Sequence, residues 1–180
     1  MPEGGRPLLV LGLGNPILSD DAVGFHVLRH ARRLCAERSL DEGVAFSERC
    51  IGGLDLLFEI EGCDGLIVVD AFHSRSGDPG RVRTLTSAEM GPAELAGVQD
   101  HWLNLPGALA LGRRLGSHVP TSIAAVVIDV GENCLVFGEE LSPPVAAAVP
   151  TAAAAVLDLI QEFRTGSHCL PEQRTKEITE

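Results

Sequence analysis

Four polar side chains that can bind a metal ion or transfer a proton occur where predicted strands end or helices begin. Asp20 and Asp21 lie between the first strand and its helix, Asp70 follows the third strand, and His101 lies in a loop just before a helix. Because ligands collect at the carboxyl ends of parallel strands, we expect one of the paired acids, Asp70 and His101 to share one edge of the sheet. Each aspartate could instead cap a helix or accept backbone N–H bonds.

Two carboxylates and an imidazole form a donor set that suits nickel, zinc or manganese better than copper(I) or an iron–sulfur cluster. Three protein ligands leave coordination positions open for a substrate atom or water. His26 and His30 have i,i+4 spacing but no H-E-x-x-H pattern, so we expect surface or packing roles for them. His73 is close to Asp70 in sequence and is a candidate for supporting the site.

Signatures of other catalytic machinery are missing from the sequence. There is no G-x-S-x-G segment, no Walker A loop, and no cysteine in a motif beside a histidine. Gly12-x-Gly14 suggests a dinucleotide loop, but Ile17 stands where the third glycine is expected. The sequence therefore favours carboxylate and metal chemistry over a serine or cysteine nucleophile.

Apolar strands that alternate with amphipathic helices predict a single three-layer α/β domain over residues 1–164. We expect a mostly parallel, twisted sheet of about five strands with helices on both faces. Residues 165–180 are polar without periodicity and are predicted to form a disordered tail. Ser19, Asp20 and Asp21 are expected to supply the cap and first-turn acids of the first helix, in which Val23, Val27, Ala31 and Leu34 follow at helical spacing. Strands are predicted at residues 8–13, 44–46, 66–69 (stopping at Asp70), 81–85 and 123–130, and further helices at 53–60, 104–115 and from Ser142 onward, the last kinked or split at Pro150.

The composition limits the partners and the compartment. Lys and Arg total 14 against 25 Asp and Glu, and the resulting net charge of −11 argues against nucleic acid as a partner. The five cysteines form no C-x-x-C pair, which indicates reduced thiols. No apolar run approaches the roughly 20 residues of a membrane helix, and the first strand is too short for a signal segment. We expect a soluble, cytoplasmic protein that does not bind membranes.

The segment from Gly12 to Gly24 reads G-L-G-N-P-I-L-S-D-D-A-V-G. It resembles the opening signature of the hydrogenase maturation endopeptidases, in which G-x-G-N is followed five residues later by paired acids and then a glycine. Similar agreement in order and spacing extends over about residues 8–163. The further matching segments are G-L-D-L-L at 53–57, V-V-D-A at 68–71, D-P-G at 78–80 and L-S-P-P-V at 141–145.

This resemblance implies a phosphorylase/hydrolase-like fold and an aspartic-type, metal-dependent peptidase of the cytoplasm. Such an enzyme removes the C-terminal extension of the nickel–iron hydrogenase large-subunit precursor after nickel insertion, and cleavage completes activation of the hydrogenase. Carried onto this chain, the implied metal ligands and catalytic residues are Asp21, Asp70 and His101. The implied metal is nickel, which can arrive with the substrate, and zinc or manganese could substitute for it.

Two other functions are compatible with parts of the sequence. Peptidyl-tRNA hydrolases also end their first strand in G-L-G-N-P, but they continue with Gly, Tyr and a T-R-H-N stretch where this chain reads I-L-S-D-D. The acidic charge also opposes tRNA binding. A non-enzymatic nickel-binding maturation factor could use the same three ligands. Tight nickel binding without cleavage of any precursor would distinguish it from a peptidase.

Overall fold

Strands and helices alternate along the chain in a computed structural model that describes residues 8–74, 77–87, 89, 105–131 and 136–166. The strands in these ranges are β1 (Leu8–Leu13), β2 (Val44–Arg49), β3 (Gly65–Phe72), β4 (Val82–Thr86) and β5 (Ser122–Asp129). The helices are α1 (Val23–Glu37), α2 (Asp55–Ile60), α3 (Leu105–Leu115) and α4 (Pro143–Thr165), and a short 3₁₀ turn (Ser19–Ala22) precedes α1.

The described strands form one sheet in the order β2-β1-β3-β5-β4. β1 pairs in parallel with β2 and β3, and β3 pairs in parallel with β5. β4 is the antiparallel edge strand beside β5, which agrees with its alternating polar and apolar residues. After β1 the chain moves to one side for β2 and then to the other side for β3. The carboxyl ends of β1 and β3 therefore flank a switch point, where sheets of this kind bind ligands.

Two of the helices in the described ranges cover each face of the sheet. Val10 and Ile67 pack in a cluster with α1 and α4, whereas Leu11 and Val68 pack in a second cluster with α2 and α3. Strands that are buried on both faces must be apolar at successive positions, which explains the continuous apolar runs of β1 and β3. The predicted three-layer fold is confirmed.

Two predicted strand ends and one predicted helix break are wrong. β2 does not end at residue 46 but continues to Arg49, because β1 still offers a partner there and Leu13 pairs with Arg49. β3 does not stop at Asp70 but continues to Phe72, because β5 still offers a partner at each step and Asp70 pairs with Val127. α4 is not split at Pro150, since it runs unbroken from Pro143 to Thr165, whereas a kink at Pro150 stays a prediction. Pro150 is exposed, so water can bind the carbonyl group that loses its N–H partner.

The sequence predicted no segment able to cross a membrane, but α4 is long and apolar enough to do so by length and composition alone. Its apolar window has a mean hydropathy of 1.6, but 44% of that window is buried within the fold. Val145, Val156 and Ile160 contribute to the core on the α1 side of the sheet, as in a core helix. The helix ends at Gly166, whose φ of 70° is left-handed, and the rest of the predicted tail lies outside the described residues.

Candidate active site

Three glycines of the Gly12–Gly24 segment bring the start of α1 against the sheet. A Cβ atom on Gly24 would lie 2.2 Å from the Leu13 carbonyl oxygen and 2.6 Å from that of Val69. A Cβ on Gly14, whose φ is +146°, would lie 2.1 Å from the Asp21 carbonyl oxygen, and one on Gly12 would lie 2.9 Å from that of Gly24. No larger residue fits these contacts. The glycine spacing thus places the 3₁₀ turn and its two acids at the carboxyl ends of β1 and β3.

The paired acids in the 3₁₀ turn have different hydrogen-bond partners. Asp20 Oδ1 accepts a bond of 2.6 Å from the backbone N–H of Ser142, the residue that precedes α4. Asp21 Oδ2 accepts one of 2.7 Å from the N–H of Asn15. Both side chains are buried. Asp20 therefore fastens the start of α4 to the turn, and Asp21 remains directed towards the edge of the sheet.

Ser19 does not cap a helix, so that prediction is wrong. Its backbone is left-handed at φ 38°, and its hydroxyl donates a 2.6 Å bond to the carbonyl oxygen of Glu140. Leu18 occupies the cap position of the 3₁₀ turn without a side-chain bond, and neither acid caps α1. The reason is a contact distant in sequence: backbone bonds between Gly138 and the residues on either side of Leu18 hold this loop instead.

Asp70 lies inside β3 and has no exposed surface. It comes one residue after Val69, which is paired with Gly12 near the end of β1, and β3 also contacts the 3₁₀ turn. Its Oδ1 accepts a 2.8 Å bond from the N–H of Ala71. Burial of a carboxylate is costly unless hydrogen bonds or a cation compensate for it. The structure thus brings Asp70 to the same sheet edge as Asp21, as the sequence predicts.

His73 contributes an imidazole to this edge. It follows β3, and its Nε2 lies 3.6 Å from Asp21 Oδ1 with the side chain 19% exposed. The sequence signal for it was only its position three residues after Asp70. His101 lies outside the described residues, so the structure does not show where its side chain is.

The donor chemistry of Asp21, Asp70 and His73 fits a borderline divalent ion such as nickel or zinc. Within the described ranges, however, no three His, Cys, Asp or Glu side chains already converge closely enough to hold an ion. The predicted set of Asp21, Asp70 and His101 therefore needs its third member from outside these ranges.

The two histidines with i,i+4 spacing, and the nearby Glu48, have other surroundings. Burial lowers the pKa of His26, and nearby Arg29 lowers it further. His30 Nδ1 lies 3.2 Å from an Arg33 nitrogen. Glu48, in the stretch before α2, forms a two-point ion pair with Arg29 at 2.9 and 2.6 Å. The ion pair joins α1 to β2, and the contact of His30 lies within α1, so these groups are separate from the candidate site.

The cysteines in the described part of the chain fit the prediction of reduced thiols. Cys35 and Cys63 are buried and Cys50 is exposed, and all three are free. Burial raises the pKa of the Cys35 and Cys63 thiols, which keeps them protonated and unreactive.

The structure is thus a three-layer α/β fold with three buried aspartates, Asp20, Asp21 and Asp70, at the switch point, the edge at which sheets of this class bind ligands. A family model described as hydrogenase maturation protease (HycI) matches residues 29–159. The chain belongs to this family, which confirms the resemblance seen in its motifs.

Individual relatives agree with the family match over nearly the whole chain. The hydrogenase 2 maturation protease of Escherichia coli is 26% identical over 166 residues, covering 92% of this chain and 96% of the relative. The solved structure of the E. coli hydrogenase maturating endopeptidase HybD matches with a TM-score of 0.69 at 27% identity, covering 87% and 93% of the two chains. The coenzyme F420 hydrogenase subunit delta of Methanothermobacter thermautotrophicus is 26% identical over 159 residues, or 85% and 94% of the two chains.

Proposed function

We propose that this protein is an endopeptidase that removes the C-terminal extension of a nickel–iron hydrogenase large-subunit precursor after nickel insertion. Asp21, Asp70 and His101 contact the nickel, which arrives as part of the substrate. The observation that carries this proposal is the burial of Asp21 and Asp70 together at the switch point of the sheet. The E. coli relative is named for the maturation of hydrogenase 2, which favours a hydrogenase precursor as the partner.

The buried carboxylates explain why a metal-bearing substrate would be selected. A divalent cation stabilises two carboxylates at one buried edge, because its charge offsets the cost of removing them from water. A bound divalent ion polarises a scissile carbonyl or lowers the pKa of a water molecule. The residues of the chain orient the two carboxylates. The backbone N–H of Asn15 binds one oxygen of Asp21, and the backbone N–H of Ala71 binds one oxygen of Asp70. Either carboxylate can then accept a proton during hydrolysis.

The thiols and the net charge support a proposal for the compartment and the partners of the protein. We place the protein in the cytoplasm, where its thiols stay reduced, without a nucleic acid or a membrane as partner. The net charge of −11 supports the exclusion of nucleic acid, since it opposes a phosphate backbone.

The proposal is tested by incubating the full chain with candidate large-subunit precursors, each prepared with and without nickel, and weighing the products by intact-mass spectrometry. We expect one nickel-loaded precursor to lose a C-terminal peptide, and the nickel-free form of it to stay whole. Cleavage of both forms at equal rates would show that nickel is not what the enzyme recognises.

A non-cleaving maturation factor is the second candidate. The observation that favours it is that the Methanothermobacter relative is named as a hydrogenase subunit and not as a protease. In the same assay, such a factor would form a stable, nickel-dependent complex with the precursor, and the mass of the precursor would not change.

A further inference from the structure

His73 and Asp21 are separated by a distance that suits two ligands of one metal ion better than a hydrogen bond. Nε2 of His73 lies 3.6 Å from Oδ1 of Asp21. An N–H···O hydrogen bond is about 2.7–3.2 Å long. Two donors that each lie about 2.1 Å from one ion, at a tetrahedral angle, are about 3.4 Å apart. The observed separation is close to this second value.

Asp21 is oriented for such a role. Its Oδ2 accepts the 2.7 Å bond from Asn15, so the carboxylate is fixed by the backbone of the loop that follows β1. Its Oδ1 is the oxygen that lies nearest to His73 Nε2. Metal-binding carboxylates are commonly held through one oxygen in this way, which leaves the other for the ion.

His73 is also held in place, through the residues on either side of it. Phe72 accepts a 3.0 Å backbone bond from Val130, just beyond β5. The Ser74 hydroxyl donates a 2.5 Å bond to Asp129 Oδ2 and accepts a 3.1 Å bond from the Gly77 N–H. The backbone that carries His73 is therefore fastened to the end of β5 before any ligand binds, and a site on fixed elements needs little rearrangement.

We propose that His73 is a nitrogen ligand that forms, together with Asp21, a binding site on this chain for one divalent ion of the nickel or zinc class. The imidazole makes the site selective for nickel or zinc, because such borderline ions prefer nitrogen whereas magnesium and calcium prefer oxygen. The inference rests on the proposed function, which makes Asp21 a metal contact. The inference also extends that function, because the chain itself binds the ion through a histidine that the family resemblance does not include.

Calorimetric titration of the full chain with Ni²⁺ alone, in a buffer that does not chelate it, tests the proposal. The wild type should bind one ion, and His73→Gln should bind it at least about tenfold more weakly. His118→Gln is the matched control, because His118 contacts Asp64 at 2.7 Å just before β3, at the opposite end of the sheet. We expect it to bind Ni²⁺ as the wild type does. Thermal unfolding of each variant reports whether the fold is kept.

A second measurement does not depend on a variant. Zn²⁺ added to wild-type protein labelled with ¹⁵N in its histidines should shift the Nε2 resonance of His73, and leave that of His118 unchanged. An unshifted His73 resonance, or no Ni²⁺ binding by the wild type at millimolar concentration, overturns the proposal.

Asp21→Asn separates this inference from the proposed function. If Asp21→Asn weakens Ni²⁺ binding while His73→Gln does not, His73 is not a ligand and the proposed function stands. If Asp21→Asn binds Ni²⁺ as tightly as the wild type, the proposed site of Asp21 and His73 is wrong, and the precursor assay alone decides the function.

Discussion

Asp21→Asn and Asp70→Asn should each lower the rate of cleavage of a nickel-loaded precursor at least about a hundredfold while leaving the fold intact. Asparagine retains the shape of the side chain and one oxygen, so the bonds from Asn15 and Ala71 can persist. It removes the negative charge that contacts the metal and accepts a proton. Loss of a charge from a buried site need not destabilise the protein, because the cost of burying that charge is removed as well. The rates are read from the intact mass of the precursor over time.

Asp20→Asn is the matched control for these substitutions. Asp20 is adjacent to Asp21 and also buried, but its Oδ1 accepts a bond from the Ser142 N–H, and an asparagine oxygen can accept the same bond. We expect nearly wild-type cleavage. An inactive Asp20→Asn beside an active Asp21→Asn would reverse the assignment within the pair. His101→Ala, tested in parallel, should lose activity if the third ligand is assigned correctly.

Gly24→Ala should destabilise the protein by about 3 kcal/mol or more, at the upper end of the cost of overpacking a core. The new Cβ would lie 2.2 Å from one backbone oxygen, that of Leu13, and 2.6 Å from another, that of Val69. Neither backbone atom can move away as a flexible side chain could, so α1 must shift off the sheet. A domain is typically stable by only about 5–15 kcal/mol, so this loss is a large share. Urea unfolding measures it.

Gly107→Ala is the control for this substitution. Gly107 lies in α3, and a Cβ there would meet no atom within 4 Å apart from its chain neighbours and the backbone of its own helix. Alanine in a helix loses less conformational freedom on folding than glycine does, so this variant should be about 0.5–1 kcal/mol more stable. If Gly24→Ala unfolds at the wild-type urea concentration, the close contact between α1 and the sheet is not a real constraint. The account of the glycine spacing would then be wrong.

The sequence predicted those parts of the fold that depend on local patterns. The apolar run of β1 and the helical spacing of Val23, Val27 and Ala31 are each visible within a few residues, and both elements formed as expected. The end of β3 was placed wrongly, because its continuation past Asp70 depends on pairing with β5, more than fifty residues later in the chain. Local patterns do not contain such pairing.

The candidate site shows the same division. Position in an α/β sheet was enough to bring Asp70 and the acid pair to one edge, but not to choose between Asp20 and Asp21. That choice came from the resemblance, and the structure adds the physical difference: Asp20 bonds to Ser142, 122 positions away. The proximity of His73 to Asp21 likewise depends on how β3 and the 3₁₀ turn meet, which no spacing in the sequence shows.

The most direct test of the central claim is the effect of nickel on how tightly the protein binds its precursor. The precursor is made resistant to cleavage by a proline after the scissile bond, and its affinity is measured with and without nickel. The wild type should prefer the nickel-loaded form at least about tenfold, which is about 1.4 kcal/mol. Asp21→Asn and Asp70→Asn should bind both forms alike. If both variants keep the wild-type preference, these carboxylates do not contact the nickel, and the account is contradicted.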